Sequence, residues 1–173
     1  SYVAMRKDDK AGLVTFNEYF DTFVPASKQV GQMQTLLENL YKQETTFGET
    51  DFSALCGHLG KHVNKRSFLV LYTNFSNMTS LNRQLVYLQQ LARQHRVLVV
   101  FFEDVDLKEY IAGKSVTTEE YYRHVIAEKF AFEKRLIVST LKQHGIYSLL
   151  TTPDKLSIDV INKYLEMKSR QLL

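Results

Sequence analysis

The sequence predicts a three-layer α/β sandwich built on a doubly wound, mostly parallel sheet, with one antiparallel hairpin at its edge. Three observations carry that expectation. Residues 67–72 and 97–102 are apolar on both faces, as central parallel strands covered on both sides must be. Strand-like and helix-like segments alternate from residue 67 to the end, with connections of ordinary length. Two short runs of β-formers near the start stand only a few residues apart.

The elements follow in order. Residues 1–7 read as the end of a helix whose start is missing, so a fragment of a longer protein is expected. Residues 12–17 (Gly-Leu-Val-Thr-Phe-Asn) and 21–26 form the hairpin strands, joined by a short polar and aromatic turn. Met33, Leu36, Leu37, Leu40 and Tyr41 then recur at helical spacing and predict a helix with one apolar face. A polar loop covers 43–49. Asp51 or Thr50 caps the next helix, which sets Phe52, Leu55, Cys56, Leu59 and Val63 on one face. The strand over 67–72 leads to a helix over about 80–94 with Leu81, Leu85, Leu88 and Ala92, and then to the strand over 97–102. Capping pairs recur at Asp106 with Glu109 and at Thr117 with Glu120. A long helix over about 118–144 ends at Gly145, a natural stop. Residues 146–150 form the last strand, and Ser157 caps a terminal helix with a basic last turn.

The bounds on function are broad. A chain of 173 residues is expected to form a single domain over 1–173 and buries roughly 70% of its unfolded surface. Apolar residues are 45% and charged residues 24% of the chain, as in an ordinary globular protein. The net charge of +3 is small and mixed along the chain, so neither nucleic acid nor an anionic membrane is an expected partner. A nucleic-acid binder would rest only on a pI near 8.9. Cys56 is the one cysteine, which excludes an intrachain disulfide and fits a reducing compartment; a cytoplasmic location is expected. No apolar run approaches the ~20 residues of a membrane span.

Chemistry-bearing residues concentrate between Gly48 and Ser76. Thr50, Asp51, Asn74, Ser76, Asn77 and Asp104 fall at turns next to strand or helix ends, where open α/β sheets bind ligands. They are oxygen donors, suited to a hard divalent cation or to a partner's carboxylate. Helix capping alone accounts for Asp51 and Asn77; Thr50 and Asn74 need another reason. His58 and His62 stand four apart, a zinc-compatible spacing, but no third ligand accompanies them, and a half-buried or solvated pair is the plainer reading. His95, His124 and His144 are isolated. Cys56 lies on an apolar stripe and reads as a small core residue. Gly57 and Gly60 fall inside a helix and do not make a phosphate loop. Tyr121, Tyr122, Phe130 and Phe132 form either a partner-binding face or a face packed on the sheet. Lys61, Lys65 and Arg66 are a solvated basic cluster.

The run from residue 10 (Lys-Ala-Gly-Leu-Val-Thr-Phe), that from residue 48 (Gly-Glu-Thr-Asp-Phe-Ser-Ala-Leu) and that from residue 66 (Arg-Ser-Phe-Leu-Val-Leu-Tyr-Thr-Asn-Phe) resemble a known pattern. So do residues 91–100 and the ending from residue 161 (Ile-Asn-Lys-Tyr-Leu-Glu-Met-Lys-Ser-Arg). Together with the order of elements they are similar to the von Willebrand factor A domain. More narrowly, they resemble the uncharacterised bacterial proteins encoded beside MoxR-type AAA+ ATPases. The resemblance spans essentially the whole chain and implies a doubly wound sandwich. It also implies a metal-ion-dependent adhesion site made of Asp-x-Ser-x-Ser after the first strand, a Thr in a later loop and an Asp after the fourth strand. Thr50 takes the Thr position and Asn74 stands where the Asp would be. The Asp-x-Ser-x-Ser element is absent, so the first strand is expected to be missing and the site degenerate and empty. Mg²⁺ and an upstream membrane anchor are implied only for a longer protein.

The expected function is therefore protein binding, not catalysis: a rim gripping an acidic group of a partner, either a MoxR-type ATPase or its client, in assembly or maturation of other proteins. No cofactor is expected. The missing strand is expected either to let the strands over 12–17 and 68–72 close up and pair directly or, the favoured outcome, to leave an exposed sheet edge through which the chain forms a homo-oligomer. The alternative is a Rossmann-like enzyme or nucleotide-binding domain, which requires a glycine-rich first turn or a nucleophile–base pair.

Overall fold

The computed structural model describes residues 1–17, 20–44, 50–75, 77–103 and 118–172. The expected α/β class is found: a three-stranded parallel sheet, an antiparallel hairpin and helices between them. The chain divides into two compact units, Ser1–Asn64 and Lys65–Leu173.

The first unit is built on strands β1 (Ala11–Phe16) and β2 (Phe20–Ser27), which pair antiparallel as a two-stranded sheet. Their register shifts twice, between Thr15 and Phe16 and between Ala11 and Leu13; at the latter Ala11 faces Ser27 but Leu13 faces Val24. The extra residue lies on β2 around Pro25, whose missing N–H is tolerated at such an irregularity. Helix α1 (Tyr2–Arg6) precedes the hairpin, and α2 (Gln32–Tyr41) and α3 (Phe52–His62) follow it. Ala11, Val24 and Leu36 form a small buried cluster, with Met5, Leu13 and Met33 packed against it. The Gln32 side-chain amide donates to Ala11 O at 2.8 Å and Pro25 O at 3.0 Å, which ties α2 to the irregular part of the hairpin. Phe16 meets Phe52 edge-on at 5.4 Å, which seats α3. The apolar stripe expected on α2 is only partly used: Leu36 is buried, but Leu37, Leu40 and Tyr41 are exposed. Periodicity marks which residues share a face, whereas a two-stranded ribbon covers only a narrow strip of it.

The second unit holds β3 (Phe68–Tyr72), β4 (Arg96–Phe102) and β5 (Tyr147–Thr151), all parallel and ordered β3-β4-β5. Helix α4 (Met78–Gln94) joins the first two strands and α5 (Thr118–Gln143) the last two; α6 (Leu156–Ser169) ends the unit. Alternation along the strands sorts their side chains onto two faces. Phe101 lies under the Lys134 ammonium of α5, 5.5 Å from its ring centroid, and α4 touches both β4 and α5, so these two helices cover the Phe101 face. Phe68 stacks on Tyr164 and Tyr147 lies under Lys163, so α6 covers the other face. The result is three layers, helix–sheet–helix.

The central strand is β4, whose residues Val97–Phe101 are all buried. The strand over 67–72 was also expected to be central. Among the described residues β3 pairs with β4 alone and is an edge, and of its residues only Leu71 is fully buried. Likewise β1 pairs with β2 alone. Gly145, at φ 72, ends α5 as expected. Its N–H reaches Lys142 O at 3.0 Å and the Ile146 N–H reaches Leu141 O at 3.0 Å, the paired bonds of a Schellman ending. Ser157 does not cap α6: the cap position is Lys155, without a side-chain bond, and Ser157 is the second residue of the helix. The capping pairs Asp106–Glu109 and Thr117–Glu120 and most of the 43–49 loop lie outside the described residues.

Candidate functional site

In a parallel sheet the carboxyl ends of the strands share one rim. In the second unit that rim is formed where β3, β4 and β5 end. Past β3 the Thr73 N–H still pairs with Val100 O at 3.1 Å, then the chain turns through Asn74 into buried Phe75. Asn77 is extended and its Oδ1 accepts the Ser80 N–H at 2.9 Å, so it caps α4 as the sequence predicts. Past β4 the Glu103 N–H bonds to Thr151 O at 2.9 Å. Past β5 the buried Thr151 hydroxyl donates to Asp159 Oδ2 at 2.5 Å, joining the strand end to the first turn of α6.

Asn74 is engaged by a residue the sequence did not single out. Lys134 Nζ donates to Asn74 Oδ1 at 2.6 Å and to Phe75 O at 2.9 Å. These two residues stand 60 positions apart, and no local pattern joins them. The contact pins the middle of α5 to the turn after β3. Replacing Lys134 by Met should cost about 1–3 kcal/mol, the usual range when a charged group loses its hydrogen bonds; urea denaturation of the two proteins measures it.

The donors at Asn74 do not suit Mg²⁺. The amide and carbonyl oxygens are neutral, and an ammonium already sits on both of them. Mg²⁺ requires one or two carboxylates and near-octahedral oxygens, and a dication placed beside Lys134 meets like charge. Among the described residues no three His, Cys, Asp or Glu side chains gather into a metal-holding group.

Thr50 and Asp51 belong to the first unit. Asp51 is the N-cap of α3: its Oδ1 accepts from Ser53 N at 2.7 Å and Ala54 N at 3.1 Å, and its own N–H bonds to Asn17 O at 2.8 Å. Thr50 is half-buried and immediately precedes that cap. Of the six residues expected at a rim, Asn74 and Asn77 share one loop of the second unit, and Ser76 and Asp104 lie outside the described residues.

Beside exposed polar residues such as Asn74 and Asn77, the described part of the second unit's rim exposes two aromatic side chains. Tyr72 faces Val100 in register, and Phe102 follows two residues later on the same side of β4, so the two rings share the α6 face at adjacent strand ends. Tyr72 is 57% and Phe102 37% exposed.

The histidines divide into two kinds. His58 and His62 stack with ring centroids 4.0 Å apart, and His62 Nδ1 lies 3.0 Å from His58 O. Phe23 of β2 meets His58 edge-on at 4.9 Å. Burial, then the His62 and Lys61 charges, hold the His58 pKa below its ordinary value. His95, which ends α4 just before β4, is buried, and its Nδ1 accepts the Ser67 N–H at 3.3 Å, which leaves its proton on Nε2. Burial lowers its pKa from 6.5. The unfolded chain therefore takes up the proton first, so the stabilising effect is complete above pH 6.5 and is lost as pH falls from there toward the folded pKa. Melting temperature should fall on acidification through this window. A His95→Leu variant should be less stable at pH 7.5 and show a flatter profile, the remaining slope including that of His58. Cys56 is buried in α3, and burial with the Asp51 charge raises its thiol pKa to about 11, so it is protonated and inert at neutral pH.

A profile of the protein family described as "Protein of unknown function DUF58" matches residues 1–111. No curated protein and no solved structure matches the chain.

Proposed function

The chain belongs to the DUF58 family, whose function is unknown, and from that premise we propose that it is a protein–protein interaction module of the von Willebrand factor A kind. It acts as a binder and not as a catalyst, and its partner docks on the rim at the carboxyl ends of β3 and β4. The observation that carries this reading is the exposed pair Tyr72 and Phe102, set side by side at that rim. Aromatic side chains held on a rigid sheet are the residues that most often dominate protein interfaces, because they bury large area while losing few rotamers. Lys134, bound to Asn74 on the opposite face of the sheet, brings positive charge to the same rim and favours a partner with an acidic group there.

The partner proposed is a MoxR-type AAA+ ATPase or a protein that such an ATPase helps to assemble or mature. That step rests on the sequence resemblance alone. Calorimetric titration of the chain into a MoxR-type ATPase, with and without ATP, tests it. Saturable binding is expected, weakened about tenfold or more by Tyr72→Ala, the loss typical of an aromatic anchor. Equal binding by wild type and Tyr72→Ala, or none by either, refutes the rim. Saturable binding of ATP by the chain on its own would instead favour the Rossmann-like reading.

A further inference from the structure

Helix α5 carries two apolar seams, and only one of them is used by the sheet. Ala127, Ile137 and Leu141 are buried, and Lys134 lies on the same side over Phe101. A second seam runs through Tyr122, Val125, Lys129, Phe132 and Leu136, at spacings of three and four residues. It lies roughly 140° round the helix from the first, at 3.6 residues per turn. Tyr122 is 68%, Val125 46%, Phe132 58% and Leu136 40% exposed. A helix apolar on two sides needs a second neighbour. Packing on the sheet explains the first seam and leaves the second without a role.

We propose that the second seam is a self-association surface: two copies of this chain pair α5 against α5, antiparallel, about a two-fold axis. The alternation of three and four residues is the pattern that packs knobs into holes between two helices. The charges choose the occupant and its direction. Glu128 and Arg135 stand seven residues apart on one margin of the seam, and both are exposed. In the antiparallel pairing Val125 faces the partner's Leu136 and Lys129 faces the partner's Phe132. Glu128 then lies across from the partner's Arg135, and the two-fold axis makes that pair twice. That margin of the seam is thus complementary to itself.

Lys129 supports the same direction. In a parallel, in-register pair the two Lys129 ammonium groups would meet in the seam, a like-charge contact that costs stability. Antiparallel pairing instead lays the Lys129 stem along the partner's Phe132 ring with its ammonium at the ring or in water. A membrane surface is a poorer occupant. Helices that lie on anionic lipid border their apolar face with Lys and Arg, whereas Glu128 borders this one. The contact is one helix pair, smaller than the roughly 800 Å² per partner of a standard interface, so a weak dimer is expected.

Sedimentation equilibrium of the chain from low to several hundred micromolar tests the proposal. The average mass should rise from 20.1 kDa toward twice that value. Phe132→Glu should remain monomeric throughout, with an unchanged thermal melt because the side chain is exposed. Glu128→Arg and Arg135→Glu should each weaken the dimer about tenfold or more, since each sets like charges across both sites. The double variant should restore it, which separates pairing from general damage. A wild type that stays monomeric, a dimer indifferent to Phe132→Glu, or a double variant that is not restored each overturns the proposal. So does a monomer that co-sediments with anionic lipid vesicles through the same residues.

Discussion

Phe101→Ala should destabilise the protein by about 3–5 kcal/mol, the largest single effect expected, as for other buried phenylalanines cut to alanine. Phe101 is fully buried, on the middle strand, and its ring fills the space under α4 and α5. Truncation removes that apolar contact and opens a cavity that strands paired on both sides cannot close, because β4 is held in register by β3 and β5. It also removes the ring beneath the Lys134 ammonium, so the pin between α5 and the turn after β3 loosens with it. Urea denaturation gives the difference. A loss under about 1 kcal/mol would mean that the site collapses freely and that β4 is not the rigid centre described above.

Gly12→Ala should cost about 3 kcal/mol, near the upper end for overpacking. A Cβ at Gly12 would stand 2.7 Å from Val24 O, 2.9 Å from Ala26 N and 3.0 Å from Ala26 Cα. All three are backbone atoms of the irregular stretch of β2, and none can swing aside as a flexible side chain could. The ladder must part at the position where α2 holds it through Gln32. The damage should be local: hydrogen exchange should quicken in β1 and β2 and hardly change in β4. Unchanged stability would show that the two strands can separate there without cost.

The fold was legible where the sequence states a physical constraint outright. Residues 97–102 are apolar on both sides because β4 is covered on both sides, and Asp51 and Asn77 cap helices because an oxygen in that position answers unpaired N–H groups. The stretch 67–72 reads much the same as β4 yet forms an edge, because apolar character reports what a strand can tolerate and not how many partners it has. Leu37, Leu40 and Tyr41 keep helical spacing whether or not anything covers them. Lys134 was invisible as a partner of Asn74 because that contact is made by the fold, across 60 residues. Tyr72 and Phe102 read as ordinary strand residues; only the register of β3 on β4 sets them side by side.

The strand order has a consequence for how the sheet is made. Each parallel strand is added beside the one before it, so the sheet can grow in the direction of synthesis, β3 and β4 first and β5 last. The first crossover spans residues 73–95 and the second 103–146, about twice as long, which adds only ~0.6 kcal/mol to loop closure. The bonds Thr73 N–H to Val100 O and Glu103 N–H to Thr151 O show which way β4 alternates. Amides of Leu98 and Val100 point to β3, while those of Val99 and Phe101 point to β5. One strand therefore carries two clocks. In pulse-labelled refolding, protection at Leu98 and Val100 should precede protection at Val99 and Phe101; simultaneous protection of all four would mean that the sheet closes in a single step.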